Sequence, residues 1–264
     1  MARTRLDTSS GAPWGWAAAG LLLGVMLALV LFAPARWLAD RVVRATDGRV
    51  LLQDPRGTVW SGSARLVLTG GPGSKDAAAL PSRLGWRLRP GWLGARAELQ
   101  TECCTPAPLQ LDWRPRWRGA SLRVGDGRSS WPAALLSGLG TPWNTLQLDG
   151  ELDLSTQGLR LDWAEGRMAV AGRAELLAQR VASRVSTLRP LGSYRLVLSG
   201  GAVPSLQLAT VEGDLQLTGS GQWVGSRLRF NGQASASPER ETALANLLNI
   251  IGRRNGARSI ITIG

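Results

Sequence analysis

The hydrophobic pattern of this chain changes period twice. It begins with an unbroken apolar run, Trp14-Gly-Trp-Ala-Ala-Ala-Gly-Leu-Leu-Leu-Gly-Val-Met-Leu-Ala-Leu-Val-Leu-Phe32. No charge interrupts it, and its length approaches the ~20 residues that cross a bilayer core. Trp14, Trp16 and Trp37 flank it where interface anchors sit. A cleaved signal peptide competes with this reading, because Ala33-Pro34-Ala35 has the small-x-small form of a cleavage site. Signal peptides usually carry an apolar stretch of only about 7–15 residues. The longer run here favours a retained transmembrane anchor over residues 14–35. Arg3 and Arg5 precede it and Arg36, Arg41 and Arg44 follow it, so flanking charge does not fix its orientation.

From Arg49 onward the period falls to two. Leu84, Trp86 and Leu88 alternate with polar or small residues. So do Ala95, Ala97 and Leu99, then Leu109, Leu111 and Trp113, then Ala120, Leu122 and Val124. Leu146, Leu148, Leu152 and Leu154 read as one face, followed by Leu159, Leu161 and Trp163. The pattern continues through Tyr194, Leu196 and Leu198, through Leu215 and Leu217, and through Leu228 and Phe230. Such alternation predicts strands with one buried and one wet face. Gly70-Gly71-Pro72-Gly73, Gly125-Asp126-Gly127 and Gly200-Gly201 mark turns between them.

The fold class is therefore mainly β, an antiparallel curved sheet that is open, barrel-like or sandwich-like. A single sheet closes its own apolar face only by curling into a barrel or folding into a sandwich. With few helices to cover it, the pattern predicts a curled, partly open sheet with an apolar concave side. An inward leucine such as Leu148 is a candidate groove residue.

Two segments break the period. Ser130-Trp-Pro-Ala-Ala-Leu-Leu-Ser-Gly-Leu-Gly140 predicts a short central helix with a Ser cap, an early Pro and a Gly stop. Near the end, Leu244, Leu247, Leu248 and Ile251 recur at i, i+3, i+4 and i+7, predicting an amphipathic helix. Ser237 is its expected cap, Pro238 suits the first turn, and Glu239 and Glu241 face the positive end of the dipole. Gly252 is its expected left-handed stop, with Arg253 and Arg254 at the negative end. A closing strand follows.

Weak internal echoes run through the β region. Pro108-Leu-Gln-Leu-Asp-Trp113 matches Gly158-Leu-Arg-Leu-Asp-Trp163, and Trp60-Ser-Gly-Ser-Ala-Arg-Leu66 echoes Trp223-Val-Gly-Ser-Arg-Leu228. They suit duplicated halves, 48–128 and 144–236, before a terminal helix and strand at 237–264. They also suit convergent strand chemistry.

The chain has 264 residues, with 33 Gly, 14 Pro and 12 Trp, which fits a turn-rich β protein. Its net charge is +12, and Lys75 is the one lysine among 31 basic residues. The arginine ratio reads first as the mark of a GC-rich genome; the alternative is affinity for anionic headgroups or lipopolysaccharide phosphates. The arginines are scattered at polar strand positions and form no nucleic-acid-binding motif, so no nucleic-acid partner is expected. The two cysteines, Cys103 and Cys104, are neighbours. Adjacent Cα atoms lie about 3.8 Å apart, closer than the usual disulfide span of about 4.4–6.8 Å. The expectation is two small apolar residues in a turn before Pro106, with a strained vicinal disulfide as the alternative.

Histidine is absent, which removes Ser-His-Asp, Cys-His and His-metal arrangements. No Walker loop, nucleophile elbow or C-x-x-C pair is present. Asp112 and Asp162, in the matched Leu-Asp-Trp units, read as wet strand positions rather than a catalytic pair. No enzyme activity, cofactor or metal is expected. Trp60, Trp86, Trp113, Trp163 and Trp223 fall on apolar strand positions and read as core. Trp92, Trp117, Trp131 and Trp143 lie in or beside turns. Gathered on one rim, they would dock a partner or dip into lipid.

The C-terminal run from Ser237, with the strand Gly221-Gln-Trp-Val-Gly-Ser-Arg-Leu-Arg-Phe-Asn-Gly232 before it, resembles the signature of the general secretion pathway protein N family. The Gly57-Thr-Val-Trp-Ser-Gly62 turn and the Leu191-Gly-Ser-Tyr-Arg-Leu196 strand extend the resemblance. Cys103 to Arg128 matches least. The resemblance implies an inner-membrane component of a Gram-negative type II secretion system, a non-enzymatic accessory to the export of folded proteins. It implies a cytoplasmic tail at 1–13, a periplasmic domain at 36–264, and other secretion subunits as partners. The rival reading is an AsmA-like periplasmic lipid carrier, for which the apolar face would stay open as a trough.

Overall fold

The computed structural model describes residues 14–165, 167–225 and 227–264. The expected tail at 1–13 lies outside them. Two helices come first, α1 (Trp14–Leu31) and α2 (Ala35–Ala45). Eight strands follow: β1 (Val50–Gly57), β2 (Ser61–Thr69), β3 (Ala77–Ala79), β4 (Leu84–Gly91), β5 (Gly94–Thr101), β6 (Leu109–Arg116), β7 (Gly119–Val124) and β8 (Gly127–Pro132). A 3-10 turn, Ala133–Leu139, and the one-turn helix α3 (Trp143–Leu146) lead into two 17-residue strands, β9 (Leu148–Ala164) and β10 (Arg167–Ser183). Then come β11 (Gly192–Ser199), β12 (Ser205–Gly213), β13 (Leu215–Val224) and β14 (Arg227–Ala236). The chain ends with α4 (Glu241–Ile251) and the hairpin of β15 (Arg253–Asn255) and β16 (Arg258–Ile263).

All sixteen strands join one antiparallel sheet, which runs from β1 at one edge to β15 at the other. β1 and β15 do not pair, so the sheet is open, neither barrel nor sandwich. β2 pairs with both β3 and β4 on one flank, and β9 pairs with both β7 and β8.

One face of this sheet is apolar across most of its width. Register aligns Ala95, Trp113, Leu122, Leu161 and Val170 in one row. A second row runs Leu154, Leu176, Leu196, Leu208, Gly219, Gly232 and Ile261. The inward positions of β9 switch from odd to even numbers between the rows. A register shift at Gly158 and Gly172 makes the switch; both glycines have positive φ. This bulge lets one strand continue where the pattern suggested two. Gly219 and Gly232 leave room for the buried Phe230 ring, which an added Cβ at either position would strike.

Three pieces cover the apolar face. The α2 stripe Ala35, Leu38, Ala39 and Val42 has helical spacing, and Ala35 and Leu38 pack on Leu52, Ala64, Trp86, Leu88 and Leu99. The 133–139 turn brings Leu135 to Leu66, Leu68, Leu80, Cys104 and Trp131. The α4 leucines 244, 247 and 248 are fully buried over Tyr194, Leu215 and Ala234.

Several local expectations need correction. The central segment is strand through Pro132 and then 3-10 helix, without a Ser cap. Proline suits an extended strand end but lacks the amide to continue a ladder. Leu146 belongs to α3, not to a strand. Before α4, the Ser237 side chain makes no cap bond to the helix; its hydroxyl meets the Asp214 carboxylate at 3.4 Å instead. Gly252 is extended rather than left-handed, because the chain turns directly into β15. Arg254 reaches back to Glu241 at 2.9 Å. Cys103 and Cys104 form a vicinal disulfide, with Cα atoms 3.7 Å apart.

Candidate interaction surface

Antiparallel register sends successive connections to opposite ends of the sheet. The turns β1–β2, β4–β5, β6–β7, β9–β10, β11–β12 and β13–β14 share one end. The 70–83 segment, the Cys103–Cys104 loop and α4 lie at the other. Helix α1 reaches the body at the first end. There the Trp60 indole donates to the Val30 carbonyl at 2.7 Å, and the Val59 amide donates to the Ala33 carbonyl at 2.8 Å. None of α1 is buried against the sheet. We call this the anchor end.

The four turn tryptophans divide. Trp92 and Trp117 occupy the tips of the β4–β5 and β6–β7 hairpins at the anchor end, 98% and 94% exposed. Trp131 lies in β8, packed with Leu135 and Cys104, and its indole donates to the Ser129 hydroxyl at 2.9 Å. Trp143 opens α3, away from both tips in the fold. The four do not share a rim. Leu148 is not on an open groove either; it is partly buried against the core beneath α4.

The expected core tryptophans also divide. Trp86 is buried, and its indole donates to the Thr58 and Val59 carbonyls at 3.2 and 3.1 Å. Trp60 lies in the β1–β2 turn. Trp113 and Trp163 are substantially exposed, correcting their assignment to the core. They are on the apolar face near the anchor end, where no helix covers it. Alternation identifies a face but not the presence of a cover, so this exposure had no signal in the strand pattern.

The opposite face is a ladder of ion pairs. Arg96 meets Asp112 at 2.9 Å, and Glu98 lies between Arg87 and Arg89. Glu175 pairs with Arg173 and Arg195, both at 3.0 Å. Asp162 meets Arg160 at 3.2 Å and Arg116 at 3.9 Å. Burial opposes its ionisation, but the Ser121 hydroxyl and these two arginines prevail, holding its carboxyl below the usual range. Asp112 and Asp162 therefore have separate arginine partners. A hollow of about 430 Å³ on this face is lined by Arg128, Ser130, Asp153, Ser155, Glu175 and Leu177, among others. Most of its lining residues are polar or charged, but the surface they expose inside it is mainly apolar, with Pro106, Leu154 and Leu177 contributing. Among the described residues, no three potential metal ligands cluster.

The protein-family model for protein N of the type II secretion system (T2SS) matches residues 48–261. The chain belongs to the type II secretion system protein N family. The match spans the sheet from just before β1 into β16, and α1 and α2 precede it. Comparison with curated proteins gives no match, and comparison with solved structures gives none. Among the described residues, the one helix long and apolar enough to cross a membrane is α1. It fits a single-pass anchor, joined to the family domain through α2.

Proposed function

We propose that this chain is a non-enzymatic accessory scaffold of a type II secretion system, held in the inner membrane by α1, with its sheet in the periplasm. The family match over 48–261 carries this reading. An anchor joined to an open sheet by two short hydrogen bonds agrees with it. The charged face offers many arginines with solvent-exposed heads, suited to acidic surfaces on other secretion subunits. Salt screens such contacts, so association should weaken as ionic strength rises.

The lipid-carrier alternative gains no specific support. The apolar face is covered in three places, and the 430 Å³ hollow is on the charged face. One experiment separates the readings. The full-length chain is expressed in its secreting host with a photo-crosslinker at Arg123 on the charged face, then purified in mild detergent. Crosslinks to secretion subunits, with external protease cutting the sheet only in spheroplasts, are the expected result. Stoichiometric bound lipid without such crosslinks would overturn the scaffold reading.

A further inference from the structure

The two hairpins that bear Trp92 and Trp117 share a hexapeptide pattern. Arg89-Pro-Gly-Trp-Leu-Gly94 and Arg114-Pro-Arg-Trp-Arg-Gly119 both read Arg-Pro-x-Trp-x-Gly. In each, the tryptophan is the first residue of a two-residue loop, flanked by the pairs Gly91↔Gly94 and Arg116↔Gly119. The closing glycine has a structural cause in both. An added Cβ at Gly94 would collide with the Trp113 carbonyl, and one at Gly119 with the Trp163 carbonyl. The tryptophans have no such cause. They are almost fully exposed, and Leu93 beside Trp92 is 73% exposed. Folding does not account for three large apolar side chains at two adjacent tips.

Their position in the fold is shared. Both tips lie at the end where α1 meets the body. Register pairs Ser61 with Arg87, so Trp92 lies five residues beyond the first residue of β2. That overhang is about 17 Å along the strand at the antiparallel rise. The uncovered Trp113 and Trp163 continue the apolar surface toward the same end, whereas α4 and the 133–139 turn seal the face elsewhere. The tip segments carry Arg89, Arg96, Arg114, Arg116 and Arg118 and no acidic residue of their own. Arg89, Arg96, Arg116 and Arg118 pair with Glu98, Asp112, Asp162 and Glu165 on neighbouring segments, and Arg114 has no acidic partner among the described residues. Tryptophan with neighbouring arginine is the composition of a membrane–water interface: the ring suits headgroup depth and the guanidinium suits lipid phosphate.

We propose that the β4–β5 and β6–β7 tips form a membrane foot, with Trp92, Leu93 and Trp117 seated at headgroup level in the bilayer that α1 spans. Arg114, which has no acidic partner among the described residues, faces anionic lipid. This rests on the anchor reading of α1. The foot adds a second attachment beside the helix, so the sheet is held at a set angle to the membrane instead of swinging on the Ala33-Pro34 joint.

The test uses the full chain reconstituted in vesicles of phosphatidylcholine and phosphatidylglycerol. An environment-sensitive fluorophore is placed on Trp92→Cys, and in separate proteins on Trp117→Cys and on Lys75→Cys at the opposite end. The native disulfide is left oxidised. The expected result is a blue shift for both tip labels and strong quenching by lipid bearing a headgroup nitroxide. The Lys75→Cys label stays water-like. Adding Arg114→Glu to the Trp92→Cys protein should reduce the quenching. Tip labels indistinguishable from Lys75→Cys, in protein that floats with vesicles after carbonate washing, would overturn the foot and leave the anchor standing. Protein that carbonate strips from the vesicles would overturn the anchor and the foot together. A blue shift that appears only with solubilised envelope proteins, not with vesicles, would also overturn the foot, in favour of protein docking.

Discussion

The Trp60 indole donates to the Val30 carbonyl at 2.7 Å, across thirty residues of chain. Carbonyls in the last turn of a helix lack intrahelical donors, and here the β1–β2 turn supplies one. Sheet and anchor are thereby coupled at the point where a flexible joint would otherwise form. Replacing Trp60 with Phe keeps a ring and removes the donor. The expected cost to overall stability is about 1 kcal/mol, with a larger effect on the joint. Limited proteolysis near Ala33–Arg36 should be faster in Trp60→Phe than in the parent.

Leu248 is fully buried in the core beneath α4. Leu248→Ala should cost about 2–5 kcal/mol. Leu248→Asp should cost more, because it buries an unpaired charge. Denaturant midpoints in the same detergent measure both. Unchanged midpoints would mean that α4 is a detachable docking element rather than a cover.

The buried Tyr194 hydroxyl donates to the Leu215 carbonyl at 3.1 Å. Burial raises its pKa well above the ordinary phenol value. The folded protein therefore keeps this proton to higher pH than the unfolded chain does. The stabilisation is complete below about pH 10 and is lost as pH rises above it. Tyr194→Phe should lose about 1 kcal/mol at neutral pH and show a shallower decline between about pH 9 and 11. Urea midpoints across that range test the sign.

Cys103 and Cys104 are bonded to each other. Disulfides persist in oxidising compartments, so the bond agrees with the proposed periplasmic placement. A thiol alkylator should leave the native chain unmodified and add two groups after reduction and unfolding, as read by intact mass. Alkylation without prior reduction would contradict the bond.

Much of the sheet was legible because strand period and turn glycines act locally. Leu84 to Leu88, Ala95 to Leu99 and Leu228 to Phe230 lie in strands as their alternation implies. The helix stripe of Leu244, Leu247 and Leu248 was equally plain, since its spacing requires only one buried side. The joining of Leu152–Leu154 and Leu161–Trp163 into one strand was hidden, because the Gly158 bulge shifts the phase between them. Trp113 and Trp163 misled because a face is set by neighbours in sequence while its cover is set by distant helices. The repeated Arg-Pro-x-Trp-x-Gly pattern marks the Trp92 and Trp117 tips in the sequence itself. Their shared end is not marked there, because it depends on the register of every strand between them and α1.

The open sheet has one more consequence, and it concerns self-association. An unclosed sheet exposes two lines of free backbone groups, each a template for another chain. Both lines are interrupted here. The outer strand β1 contains Pro55, which has no amide to offer, beside Asp54 with φ +49, and its register breaks between Gln53 and Arg56. At the far side β15 is three residues long, and two of them are arginine. A second copy finds no straight, uncharged strand to extend, so fibre growth has no seed at either margin. The width of the sheet is fixed within one molecule, and many copies can crowd together without their merging.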